Sequence, residues 1–112
     1  MTEAELKSSV QDYLKYGMNQ GRWYADRLNS GMAYVKRGEK YYAIRLCEKG
    51  TADFFVLMKF PWGIGTPRVI FLEIKGDKGK QSDDQKLFEA EVERQGASYA
   101  VIRSIEDLEE AL

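Results

Sequence analysis

Glu73 and Lys75 stand two residues apart in the run Leu72-Glu73-Ile74-Lys75-Gly76, and Asp53 closes the upstream segment Gly50-Thr51-Ala52-Asp53. Residues 54–60 and 69–74 are β-favouring runs, and the stretch 61–67, rich in proline and glycine, has the composition of a hairpin loop. Two adjacent antiparallel strands are therefore predicted. Alternate side chains of a strand share a face, so Glu73 and Lys75 project together while Leu72 and Ile74 point to the opposite, apolar side. Asp53, at the start of the partner strand, comes beside Glu73. Two carboxylates in one place repel unless a cation neutralises them or one takes up a proton. Oxygen-only ligation with retained waters suits Mg²⁺ or Mn²⁺ better than zinc, and the Ile74 carbonyl between the two charged side chains is a further available ligand. Lys75 beside such an ion could position or help deprotonate an attacking water and oppose charge building on a phosphate, which is the chemistry of phosphodiester hydrolysis. An ExK pair on a strand also describes a solvated face with a weak surface ion pair.

Composition removes the rival chemistries. The 112 residues contain no histidine and a single cysteine, Cys47. Imidazole general bases, serine or cysteine triads, thiolate zinc cages and an intramolecular disulfide are all excluded. Hydrophobic residues make up 44% and charged residues 31%, the balance of a folded globular chain, and the length predicts a single domain over 1–112. The opening MTEAELKSSV is charged and has no apolar run, and no stretch approaches the roughly 18 apolar residues of a membrane span. A cytoplasmic protein is expected, in the host cytoplasm if the chain is phage-encoded, with no membrane partner.

The elements that must position these groups are an initial helix, a set of strands, and two further helices around a final strand. Residues 2–16 read as an amphipathic helix, with Leu6, Val10, Tyr13 and Leu14 at helical spacing, Thr2 as start signal and Gly17 as stop. Glu3 falls on the side of the apolar stripe and Glu5 points away, so Glu3 is expected to face inward or toward a site rim. Residues 22–46 suggest two or three short strands, with turns at Asn29-Ser30-Gly31 and Arg37-Gly38. Ser82 opens a helix reaching about Gln95, with Gln85 in capping-box spacing and Leu87, Phe88 and Val92 as its buried face. Residues 99–102 form a short strand, and Ser104 caps a last helix containing Ile105, Leu108 and Leu112. The expected order is a helix, a β-meander, a helix, a strand and a helix. The intervening helix favours parallel pairing of 69–75 with 99–103 through a right-handed crossover, giving an α/β fold with a mixed sheet flanked by helices.

The net charge of −1 is unevenly spread. Lys36, Arg37, Lys40, Arg45 and Lys49 lie against only Glu39 and Glu48, whereas the chain after Gln81 is acidic. These cations are candidates for a nucleic-acid track, with surface solubilisers as the plainer alternative.

The segment Gly50-Thr51-Ala52-Asp53, then Glu73-Ile74-Lys75-Gly76, Ser82 to Gln85, Gly96 and Val101-Ile102-Arg103-Ser104 resembles the virus-type replication-repair nuclease (VRR-NUC) domain of the PD-(D/E)xK superfamily. Upstream, Thr2-Glu3 and Arg27-Leu28-Asn29-Ser30-Gly31 agree, so the likeness extends over nearly the whole chain. Ala52 departs from it, standing where the family commonly has proline. The resemblance implies a restriction-endonuclease-like mixed sheet in α-β-β-β-α-β-α order. It implies that Asp53 and Glu73 bind Mg²⁺ or Mn²⁺, that the Ile74 carbonyl completes the shell, and that Lys75 handles the water. Gln85 would support the site, Glu3 would reach the metal's water shell, and Arg27 and Asn29 are candidates for DNA contact or support. Stand-alone phage and bacterial members resemble Holliday-junction resolvases in forming homodimers, so a homodimer acting on branched or otherwise structured DNA is expected. A non-catalytic DNA-binding or assembly subunit keeping the nuclease fold is the competing reading. The Trp62 and Ile64 hairpin tip is a candidate for DNA contact or for the subunit interface.

Overall fold

The computed structural model describes residues 1–59 and 67–112, and the expectations for Trp62 and Ile64 lie outside these. Its elements run α1 (Glu3–Asn19), β1 (Tyr24–Arg27), β2 (Met32–Arg37), β3 (Lys40–Arg45), β4 (Phe54–Met58), β5 (Arg68–Ile74), α2 (Asp83–Arg94), β6 (Ser98–Ile102) and α3 (Ile105–Ala111). This is an α/β chain. Four strands form a mixed sheet in the order β1-β4-β5-β6, and β2 and β3 form a separate two-stranded ribbon. The expected meander is thus not one continuous sheet: five strands precede α2, and two of them leave the sheet altogether.

The pairings follow from the connections. β4 and β5 are antiparallel, with Phe54 opposite Leu72 and Val56 opposite Ile70. β5 and β6 are parallel, as a helix-bearing crossover demands, with Leu72 opposite Ala100 and Ile74 opposite Ile102. Strand alternation sorts the side chains into two faces. One carries Ala25, Phe54, Val56, Ile70, Leu72, Ile74 and Ile102, all buried, and receives Leu6, Val10 and Leu14 of α1 and Leu108 of α3. The other carries Phe55, Phe71, Glu73 and Tyr99 and lies under α2, where Phe88 meets Phe71 edge to face at 5.2 Å.

Capping boxes start both long helices: Thr2 and Glu5 exchange side-chain-to-backbone hydrogen bonds at α1, and Ser82 and Gln85 do so at α2. Two local expectations are corrected. Leu87 is not on the buried face of α2 but 69% exposed, because the inward stripe runs through Gln85, Phe88 and Val92 and leaves Leu87 about a quarter turn away. Gly17 does not stop α1, which continues to Asn19. Gly17 instead makes room for Trp23, whose indole lies where a Cβ at this position would be. Trp23 is fixed there by its Nε1–H, which donates to the Leu14 carbonyl at 2.8 Å, and by stacking on Tyr13.

Gly17→Ala is therefore expected to destabilise the protein. Helix propensity alone favours alanine by about 1 kcal/mol, but overpacking against a buried indole costs about 1–3 kcal/mol. Denaturant unfolding followed by Trp23 fluorescence checks the sign.

Candidate active site

The two carboxylates meet because β4 enters the sheet one residue after Asp53. The Asp53 N–H donates to the Leu72 carbonyl at 3.0 Å, so Asp53, like Phe54 after it, is tied to Leu72 and stands at the entrance of β4 beside Glu73. At the next step the Asp53 side chain replaces the backbone: its Oδ2 accepts from the Ile74 N–H at 2.8 Å. A charged acceptor makes that bond worth about 1.5–3 kcal/mol. Residues of β5 alternate between neighbours, and Lys75 N–H donates to Ile102 on the β6 side. The N–H and carbonyl of Ile74 therefore both turn toward the Asp53 side, the carbonyl just beyond the end of β4.

Glu73 is 3% exposed and is the only buried charged residue among those described. Its Oε1 accepts from the Gln85 Nε2 at 2.9 Å and lies 3.9 Å from the Lys75 ammonium. Its Oε2 is buried without a hydrogen-bond partner among the described residues. Burial, and next the Asp53 charge, push the Glu73 carboxyl up to about 8 against the opposing pull of Lys75 and Lys7.

Gln85 performs two tasks at once. Its side-chain carbonyl accepts from the Ser82 N–H at 2.8 Å to close the capping box, and its amide nitrogen holds Glu73. The cap and the site are thus not alternatives. Glutamate would satisfy the cap but could not donate to a carboxylate.

Lys7 is the residue that sequence reasoning missed. Its ammonium lies 3.2 Å from Asp53 Oδ1 and 3.7 Å from Glu3 Oε2, bridging the first helix to the sheet. The available signal was its place four residues after Glu3, on the same helical face. Glu3 packs near Gly76, directly after Lys75, but among the described residues it reaches Asp53 only through Lys7. The site thus lies where the carboxyl ends of β5 and β6 meet the amino ends of α1 and α2.

The remaining candidates fall elsewhere. Arg27 shares the α1 side of the sheet with Ala25 and lines a cavity with Gln11, Leu14 and Phe54, on the face opposite the carboxylates. Among the described residues, no hydrogen bond or ion pair joins Arg27 or Asn29 side chains to Asp53 or Glu73. Lys49 pairs with Asp84 at 3.5 Å, in the first turn of α2, and Arg45 with Glu48 at 3.8 Å. Lys36, Arg37 and Lys40 are on the ribbon, which is separate from the sheet that carries Glu73.

The donor set suits a hard cation that keeps its own waters. Among the described residues there is no group of three or more Asp, Glu, His or Cys able to enclose an ion. Two carboxylates and one carbonyl leave the other positions to water and substrate, as Mg²⁺ prefers. Among the described residues each carboxylate has one oxygen tied by a hydrogen bond and another open to a cation: Glu73 Oε2 has no partner there, and Asp53 Oδ1 has only Lys7. Comparison with protein-family models and with curated protein sequences gives no match.

Two outcomes follow, the first for the metal-free protein. Between about pH 4.5 and 8 the folded chain keeps the Glu73 proton that the unfolded chain has lost, so this group's contribution to stability declines as pH rises through that window. The melting temperature of Glu73→Gln should accordingly gain on wild type with rising pH and level off above about pH 8; parallel curves in chelator would contradict the assignment. Gln85→Glu should leave α2 helicity intact by circular dichroism yet lower any activity of the site about tenfold or more, as loss of a supporting partner does.

Proposed function

We propose that this chain is a Mg²⁺- or Mn²⁺-dependent DNA endonuclease of the VRR-NUC kind, hydrolysing phosphodiester bonds in branched or structured DNA. The observation that carries the reading is Asp53 held on the backbone of Ile74, next to Glu73, with Glu73 Oε2 buried and without a hydrogen-bond partner among the described residues. With the ribbon set aside, the remaining elements run α1, β1, β4, β5, α2, β6, α3, which supports the α-β-β-β-α-β-α plan that the resemblance implies.

Asp53, Glu73 and the Ile74 carbonyl would hold the cation, which when bound supplies Lewis-acid polarisation of phosphate and acidification of water. Gln85 fixes the Glu73 carboxylate from one side. Ile74 N–H and Lys7 orient Asp53 from two directions. Lys75, 13% exposed with its stem under Gly79, presents its ammonium beside Glu73, where it can orient water and oppose negative charge on the reacting phosphate. Water activation thus draws on carboxylate and ammonium groups alone. A homodimer, placing two such sites on two strands, completes the proposal.

Asp53→Ala, Glu73→Ala and Lys75→Ala should each lower cleavage of four-way junctions, flaps or supercoiled DNA by about a hundredfold or more, while the proteins stay folded by circular dichroism. EDTA should stop cleavage and added Mg²⁺ or Mn²⁺ restore it. Unimpaired cleavage by any one variant removes that residue from the site. DNA binding without nicking, whatever the metal, would instead identify a non-catalytic binding subunit.

A further inference from the structure

The β2–β3 ribbon does not contribute to the core. None of its strand residues is buried and all but Ala33 are exposed, although Met32, Tyr34, Val35, Tyr41, Tyr42 and Ile44 are large and apolar or aromatic. A two-stranded hairpin alone is marginal in water, and such a surface on a stable arm marks a binding face. Cross-strand register sorts the side chains: Met32, Tyr34, Lys36, Tyr41 and Arg45 share one face, and Val35, Arg37, Lys40, Tyr42 and Ile44 the other. Each face combines aromatic surface with two cations, and neither strand contains an acidic residue. Four cations against Glu39 in the turn give the ribbon a net +3, in a chain whose total is −1.

Its root adjoins the site. The chain leaves the sheet after β1 and returns at Asp53, where Leu28 N–H donates to the Asp53 carbonyl at 2.8 Å. Cys47 N–H donates to Asn29 and Leu46 N–H to Gly31, stitching the two limbs together at the base. The returning limb is tied to α2 by the Lys49–Asp84 pair and by Gly50, which lies tight against the Asp84 backbone.

We infer that the ribbon is a DNA-gripping arm, which lies along a duplex groove beside the site and places Lys36, Arg37, Lys40 and Arg45 against phosphates. The major groove admits a two-stranded β-ribbon. Six residues of strand extend about 20 Å, or about six base pairs. The aromatic residues supply contact area against sugars and bases. A second copy is the poorer occupant, since symmetric arm-to-arm pairing would set two surfaces of net +3 together. The inference rests on the reading that the Asp53–Glu73 site acts on DNA, but it can fail separately.

The test is fluorescence anisotropy with a labelled duplex in EDTA, from about 50 to 200 mM salt, on wild type and on K36Q/R37Q/K40Q/R45Q. The variant should bind at least about tenfold more weakly at the low end, with a salt slope shallower by about three and a half, since each of the four lost phosphate contacts removes about 0.9. Lys15→Gln, an exposed cation on α1, should change neither. If the quadruple variant does not fold, each single substitution should lower the slope by about one. An unchanged slope overturns the arm, as does a mass by light scattering that falls to the monomer while DNA affinity holds, which would assign the ribbon to a second copy. Wild type that takes up Mg²⁺ by calorimetry but binds no duplex also overturns the arm and leaves the site standing. Slope loss in a protein that takes up no Mg²⁺ supports the arm and removes the catalytic reading.

Discussion

A carboxyl group taken out of water within an apolar strand is the constraint around which this molecule is arranged. Glu73 lies between Leu72 and Ile74, both buried, in the central part of a four-stranded sheet. Leaving it there as an unpaired charge would cost more than a small domain can spare. The surrounding structure offers three partial answers: a neutral donor from Gln85, an ammonium from Lys75, and a carboxyl driven toward its protonated form. None satisfies Oε2. A group held at such cost, beside a second acid, is more readily understood as functional than as structural, because a leucine at this position would be easier to accommodate.

That constraint explains why distant segments converge. α2 begins at the carboxyl end of β5, so that its third residue reaches Glu73 while closing its own first turn. α1 crosses the opposite face of the sheet, yet its first turns extend far enough to bring Lys7 round to Asp53. The parallel β5–β6 pairing supplies the last contact, Lys75 N–H to Ile102, before the chain turns away at Gly76. Every group at the site is thereby fixed by a regular element or its cap.

Much of this was legible in the residues. The two-residue period placed Glu73 and Lys75 on one face, and cap chemistry located the helix starts at Thr2, Ser82 and Ser104. The crossover rule fixed the parallel pair. Other features depend on packing that local pattern does not record. Alternation in 32–45 identifies strands but not the sheet they join, so the ribbon's detachment could not be read. Leu87 and Phe88 are both apolar, and the tertiary contacts of Gln85 with Glu73 and of Phe88 with Phe71 decide which one turns inward. Gly17 followed a helical run, as a terminating glycine does, and its real purpose depends on Trp23, which approaches from beyond the helix end. Lys7 carries no motif; its meaning comes from the distance to Asp53.

The hydrogen bond between Leu28 and the Asp53 carbonyl makes the ribbon's points of departure and return immediate neighbours. Because the sheet is closed at that point, the intervening loop can change length at a cost that grows only slowly with its size. The segment is in effect a cassette: its reach and surface chemistry are free to diverge while the register of β4 against β5 stays the same. Selectivity for a partner and the acid pair can then evolve on separate clocks.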